Sequence, residues 1–164
     1  MPPGKDWVYL LLLKYGWLFF IVVQYANGVS WWQKGKPEMA ANHALESGYR
    51  RLIRSWIVYG NLPWLIMGVG IQFGGVPTVI HYCNLRNGPF VIAFWVSCVV
   101  LWVATFYWMF FQGGAEKLIA HPGLLSLPVA RPWAVKTLFL LALTGGVIAM
   151  FVVLLTDVPF PNLR

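Results

Sequence analysis

Four apolar runs dominate this chain and leave little room for any fold but a bundle of membrane helices. They cover about residues 7–32, 55–73, 90–111 and 133–155. Each meets the roughly 20 residues that an α-helix needs to cross a hydrocarbon core about 30 Å thick. Lys14, Gln24 and Asn27 interrupt the first run, and Trp7 and Tyr9 at one end face Trp31 and Trp32 at the other. Such paired aromatics mark the two water–lipid boundaries. The composition agrees, because 59% of the 164 residues are hydrophobic and only 10% are charged, whereas an average soluble domain carries about 25% charged residues. Too little charge remains to cover a water-facing surface, which excludes a soluble globular enzyme, and the aromatic richness excludes a disordered chain. The first run is longer than the 7–15 apolar residues of a signal peptide, and Lys5 before it is offset by Asp6, so it reads as a span rather than a cleaved leader. The expected fold is an all-α integral membrane protein with a single domain over 1–164. It has four transmembrane helices and an amphipathic interfacial helix between the first and second.

Charge then orients the helices. The net charge of +7 arises from 12 Lys and Arg against 5 Asp and Glu. Lys34, Lys36, Arg50, Arg51, Arg54, Lys117, Arg131 and Lys136 lie on one side, and Lys5, Lys14, Arg86 and Arg164 on the other. Eight against four predicts that the segments 33–54 and 112–132 are cytoplasmic and that both termini lie outside, as in a bacterial inner membrane protein. The same rule explains the high pI without nucleic acid, for which no aromatic–basic platform or recognisable module exists.

The first cytoplasmic segment has a helical pattern of its own. After Lys34-Gly35-Lys36-Pro37, residues 38–54 contain no proline, and Leu45, Tyr49, Leu52 and Trp56 recur at the spacing of one helix face. Lying at the headgroups, this helix would bury that stripe while Arg50, Arg51 and Arg54 meet lipid phosphates or a partner. It could instead continue into the second span. The second segment differs in kind: Gly113-Gly114 stops the third helix, and Pro122, Pro128 and Pro132 allow only a short helical turn after it. Its roughly twenty residues exceed the 2–8 of an ordinary helix connection. Leu124 and Leu125 are its candidate apolar anchors for a partner. Asn61-Leu62-Pro63 predicts a kink in the second helix near Tyr59 or Gly60, because Pro63 removes a backbone donor.

Chemistry is sparse. His43, His81 and His121 all fall at the ends of spans, so no pair of imidazoles sits at mid-membrane to hold a haem. His43 and Glu46 at i, i+3 make at most half a metal site, and no metal is expected. Lys14 is the one ionisable residue well inside a run, and its stem reaches the outer boundary. Cys83 and Cys98 cannot share an aqueous loop, which argues against a disulfide. No nucleophile, phosphate-loop or dinucleotide motif is present, so catalysis is not expected. Trp95, Cys98, Trp102, Thr105 and Met109 share one face of the third helix, a surface for a pigment, quinone or lipid, for another helix, or for the bundle itself. Trp95, Trp102 and His121 are the weak candidates for cofactor contact.

Small residues four apart form close-packing grooves: Gly70 and Gly74, Ala93 and Ser97, Ala142 and Gly146, Gly145 and Ala149. Small size, these grooves and the missing catalytic constellation together predict a non-catalytic accessory subunit or assembly factor, bound to other membrane subunits or to itself, with no cofactor. The alternatives are a carrier or electron-transfer protein for quinone, pigment or haem, and a small oligomeric transporter.

Overall fold

The computed structural model of the chain describes residues 6–125 and 131–155, so Lys5 and Arg164, and Leu127 and Pro128 of the long connection, lie outside the described residues. Among these residues the fold is all-helical, without strands. The helices are α1 (Asp6–Ala41), α2 (Glu46–Gly60), α3 (Leu62–Gln72), α4 (Pro89–Phe111), α5 (Gly114–Ile119) and α6 (Pro132–Leu155), with short 3₁₀ turns at His43–Leu45, Val79–Cys83 and Leu85–Asn87. Three helices, α1, α4 and α6, are long and apolar enough to cross a membrane.

The second apolar run forms no single helix of that length. It is divided between the end of α2 and the whole of α3, and the break falls at Asn61, one residue beyond the expected kink. Pro63 has no N–H to give the Tyr59 carbonyl, and the Asn61 N–H is aimed at that oxygen instead. The Asn61 side-chain amide donates to the Ile57 carbonyl at 2.8 Å, so the break carries its own cap.

The separate helix expected over 38–54 is also corrected. Residues 38–41 belong to α1, which runs unbroken through Gly35 and Pro37 for 36 residues, about 54 Å at 1.5 Å per residue. The chain turns at Asn42, whose side chain accepts from the Ala44 N–H at 3.1 Å, and α2 begins at Glu46. A proline inside a helix costs one hydrogen bond, and here the packing of α2 along the extended α1 offsets that loss. Most of the apolar stripe of α2 is spent on protein: Tyr49 is fully buried and the neighbouring Ile53 buried, with Leu45 and Leu52 packed around them, while Trp56 stays exposed.

From this turn, α2 and then α3 return antiparallel to α1 in a steady register. Gly35 lies against the Tyr49 ring, Gly28 against Ile57, Gln24 beside Gly60, and Gly68 against the Trp17 ring. Phe20 stacks on Trp64 at 3.9 Å, and Trp31 meets Trp56 edge-on at 5.2 Å. At three of these positions glycine is required by space, since a Cβ would come within 2.5–2.7 Å of the facing side chain.

At the far end, α3 packs on the start of α4. Phe90 occupies the groove of Gly70 and Gly74, and the buried Tyr82 hydroxyl donates to the Met67 carbonyl at 3.1 Å. At the near end, α5 tucks beneath α4 with Gly114 against the Trp108 ring, and Met109, Ala115 and Val135 form a small core. Helix α6 is attached mainly there, and Val135 is its one buried residue.

Replacing Gly35 by alanine drives a methyl into the Tyr49 ring and should destabilise the protein by about 1–3 kcal/mol. Gly145→Ala, where nothing lies within 4 Å, should be neutral or slightly stabilising. Thermal unfolding of both variants in mild detergent checks this, and equal midpoints would contradict the register.

Candidate functional site

One end of the bundle gathers most of the charge. The α1–α2 turn, the end of α4, α5 and the start of α6 meet there, and they bring Lys34, Lys36, Arg50, Arg51, Arg54, Lys117 and Lys136 to the same end as Glu38, Glu46 and Glu116. The central element is α2, because burying Tyr49 and Ile53 turns its opposite face outward. That face carries an open groove of about 500 Å³ lined by His43, Glu46, Ser47, Arg50, Arg51, Arg54 and Ser55. Glu46 binds Arg50 at 2.9 Å, and the Arg50 guanidinium lies 5.9 Å from the centre of the Trp32 ring. Arg51 and Arg54 have no carboxylate partner among the described residues. The structure thus brings together the three arginines that the sequence singles out and adds His43, Ser47 and Ser55. Their i, i+4 and i+7 spacing along 47–55 was readable in the sequence, but only burial of the other face shows which way the stripe points.

Behind the groove, the long connection docks on α2. Tyr49 donates its hydroxyl to the Pro122 carbonyl at 2.5 Å, and the His121 ring stands edge-on to Tyr49 at 4.9 Å. His121 Nδ1 is 2.7 Å from the Lys117 carbonyl, and the ring lies so close to Gly48 that a Cβ there would clash with it. Gly123, at φ +86°, brings the chain against Lys34. Leu124 is buried against Met39, Tyr49 and Ile53, and Leu125 packs beside Met109, Ala115 and Val135. Leu124 thus spends its apolar surface on the protein's own end, while Leu125 is only partly buried. Burial pushes the Tyr49 phenol above the ordinary 10.0, helped by the nearby Glu38 carboxylate, so it remains a donor. Glu116 is held below the usual carboxylate range by its own backbone N–H and by Lys136, at 3.3 Å.

The remaining candidates lie elsewhere. Trp95 borders an apolar groove of about 480 Å³ between α4 and α6, with Ile92, Val96, Val99, Met150 and Leu154. Its indole N–H donates to the Tyr82 carbonyl at 2.7 Å. Trp102 lies over Gly146, the point where α6 approaches α4. Cys98 and Met109, on the same face of α4, pack inward. His81 sits at the opposite end, its Nδ1 2.9 Å from the Thr78 hydroxyl, and burial lowers its pKa. Among the described residues no three of His, Cys, Asp and Glu come close enough to share a metal ion. Gln24 Oε1 and Asn61 Oδ1 are buried beside the helix break without a hydrogen-bond partner among the described residues, a feature the sequence shows only as two amides far apart in the chain.

Tyr49→Phe removes the donor to Pro122 and should loosen the connection by about 1–2 kcal/mol. Hydrogen exchange over 113–125 should accelerate while α1 and α4 stay protected; unchanged exchange would contradict the latch. Since folding raises the phenol pKa, its contribution is full below pH 10.0 and declines only as pH rises above that value. Comparison of the chain with protein-family models, with curated proteins and with solved structures finds no match.

Proposed function

We propose that this chain is a small accessory subunit or assembly factor of a larger membrane complex, with no reaction of its own. The observation that carries this reading is α6. It is a 24-residue apolar helix with one buried residue, Val135. Of its two small-residue grooves, Gly146 receives Trp102 from within the chain, while Gly145 meets nothing within 4 Å and Ala149 is exposed. In lipid, apolar burial alone supplies little drive between helices, and such grooves bind by letting backbones approach closely. The open face of α6 therefore fits a helix of another subunit or of a second copy.

In this reading the chain crosses the membrane four times. The second crossing is made by 55–72, broken at Asn61, and Glu46–Arg54 projects from it at the headgroup level. The basic end faces the cytoplasm and both termini lie outside, as the positive-inside rule requires of a bacterial inner membrane protein.

A carrier role finds one supporting feature, the groove between α4 and α6. Its lining is apolar, and the Trp95 N–H is already committed. It suits an alkyl chain and offers no polar group to orient a quinone or pigment ring.

Affinity purification of the tagged chain in mild detergent tests the proposal. Other membrane subunits, or a second copy, should comigrate stoichiometrically, and Gly145→Leu should release them without preventing insertion. A chain that runs alone, or a complex that survives Gly145→Leu, contradicts the subunit reading, and a visible absorption band would favour the carrier.

A further inference from the structure

The groove on α2 is open and lined by three arginines and two serines, with the Glu46 carboxylate engaged by Arg50, and we infer that it binds the phosphate group of an anionic phospholipid. This rests on the chain being embedded in a membrane and not on the subunit reading. Three observations converge. Arg51 and Arg54 are cations without an ion-pair partner among the described residues, whereas Arg50 pairs with Glu46 and lies near the Trp32 ring. Guanidinium groups match phosphate oxygens with paired N–H donors, and the Ser47 and Ser55 hydroxyls border the same groove.

Position selects lipid over a soluble phosphate. Ser55 adjoins Trp56, whose ring meets Trp31 at 5.2 Å in the aromatic belt of the hairpin. The groove begins at that belt and extends away from the apolar segment, towards His43. In the other direction the stripe continues at helical spacing from Arg51 through Ser55 to Val58, and beyond the break at Asn61 come Leu62 and Leu65; these three apolar residues are 54%, 43% and 48% exposed. A headgroup on the arginines therefore has an apolar track beneath it for its acyl chain. An inorganic phosphate would use the arginines and leave the track bare.

Titration of the detergent-purified full chain with phosphatidylglycerol or phosphatidylcholine, read by native mass spectrometry, tests the site. Phosphatidylglycerol should bind preferentially, and Arg51→Gln/Arg54→Gln should weaken it about thirtyfold. Lys34→Gln/Lys36→Gln, which removes the same charge from the same end but outside the groove, should leave binding unchanged. Arg51→Lys/Arg54→Lys keeps both charges for insertion yet loses the planar fork, so it should bind several-fold more weakly. Equal binding of the two lipids, equal loss in both glutamine variants, or full retention in the lysine variant overturns the proposal. Binding of inorganic phosphate at these arginines without phosphatidylglycerol binding overturns the lipid assignment.

Discussion

Close approach between α1 and the α2–α3 segment is the contact on which the rest of this structure depends. Water drives apolar helices together, but lipid tails are as apolar as leucine, so inside a bilayer contact must come from fit. Gly28 and Gly35 on α1 and Gly68 on α3 each admit a side chain where a methyl would collide: Ile57, Tyr49 and Trp17. Phe20 on Trp64 fills the space between them. This seam fixes the line of α3, which in turn positions Gly70 and Gly74 to receive Phe90 and so seats α4.

The same seam determines the polar end. With Tyr49 and Ile53 facing α1 and the long connection, the arginines of α2 must face away, and the groove is a consequence of that rotation. The latch from Tyr49 to Pro122 then joins parts of the chain 73 residues apart, and Leu124 seals it. Helix α6 takes little part in either arrangement, since its attachment runs through Val135 and Trp102 near Gly146. The fold thus has one tightly zipped pair, one helix seated on it and one loosely held apolar helix, and the proposed subunit role rests on the last of these.

Much of this was legible in the sequence because it follows from local rules. Runs expected at 90–111 and 133–155 are α4 and α6 to within one residue, since Pro89 and Pro132 start both helices and Gly113 ends the first. The break in the second run was visible in Pro63, although Asn61 sets its position by capping Ile57. The helix expected over 38–54 differs most at its start, because Pro37 lies inside α1, which continues to Ala41. A proline can sit within a helix when tertiary packing compensates, and the compensating partner, Tyr49 on Gly35, lies beyond the turn. That Leu124 is covered by Met39, Tyr49 and Ile53 was not legible, because an apolar residue in a loop carries no mark of what covers it. The groove needed three-dimensional information for the same reason: three arginines in a row on a helix face water, lipid or protein according to what the other face buries. Gly28 and Gly35, seven residues apart on α1, were the available signal for the seam.

The seam can be tested directly by cross-linking in native membranes. With Cys83 and Cys98 replaced by serine, Gly28→Cys/Ile57→Cys should form an intrachain disulfide on mild oxidation, because these positions face each other across α1 and α2. Gly28→Cys/Tyr49→Cys, two turns out of register, should remain reduced. Efficient cross-linking of the second pair and none of the first would show that α2 does not return along α1, and would contradict the account.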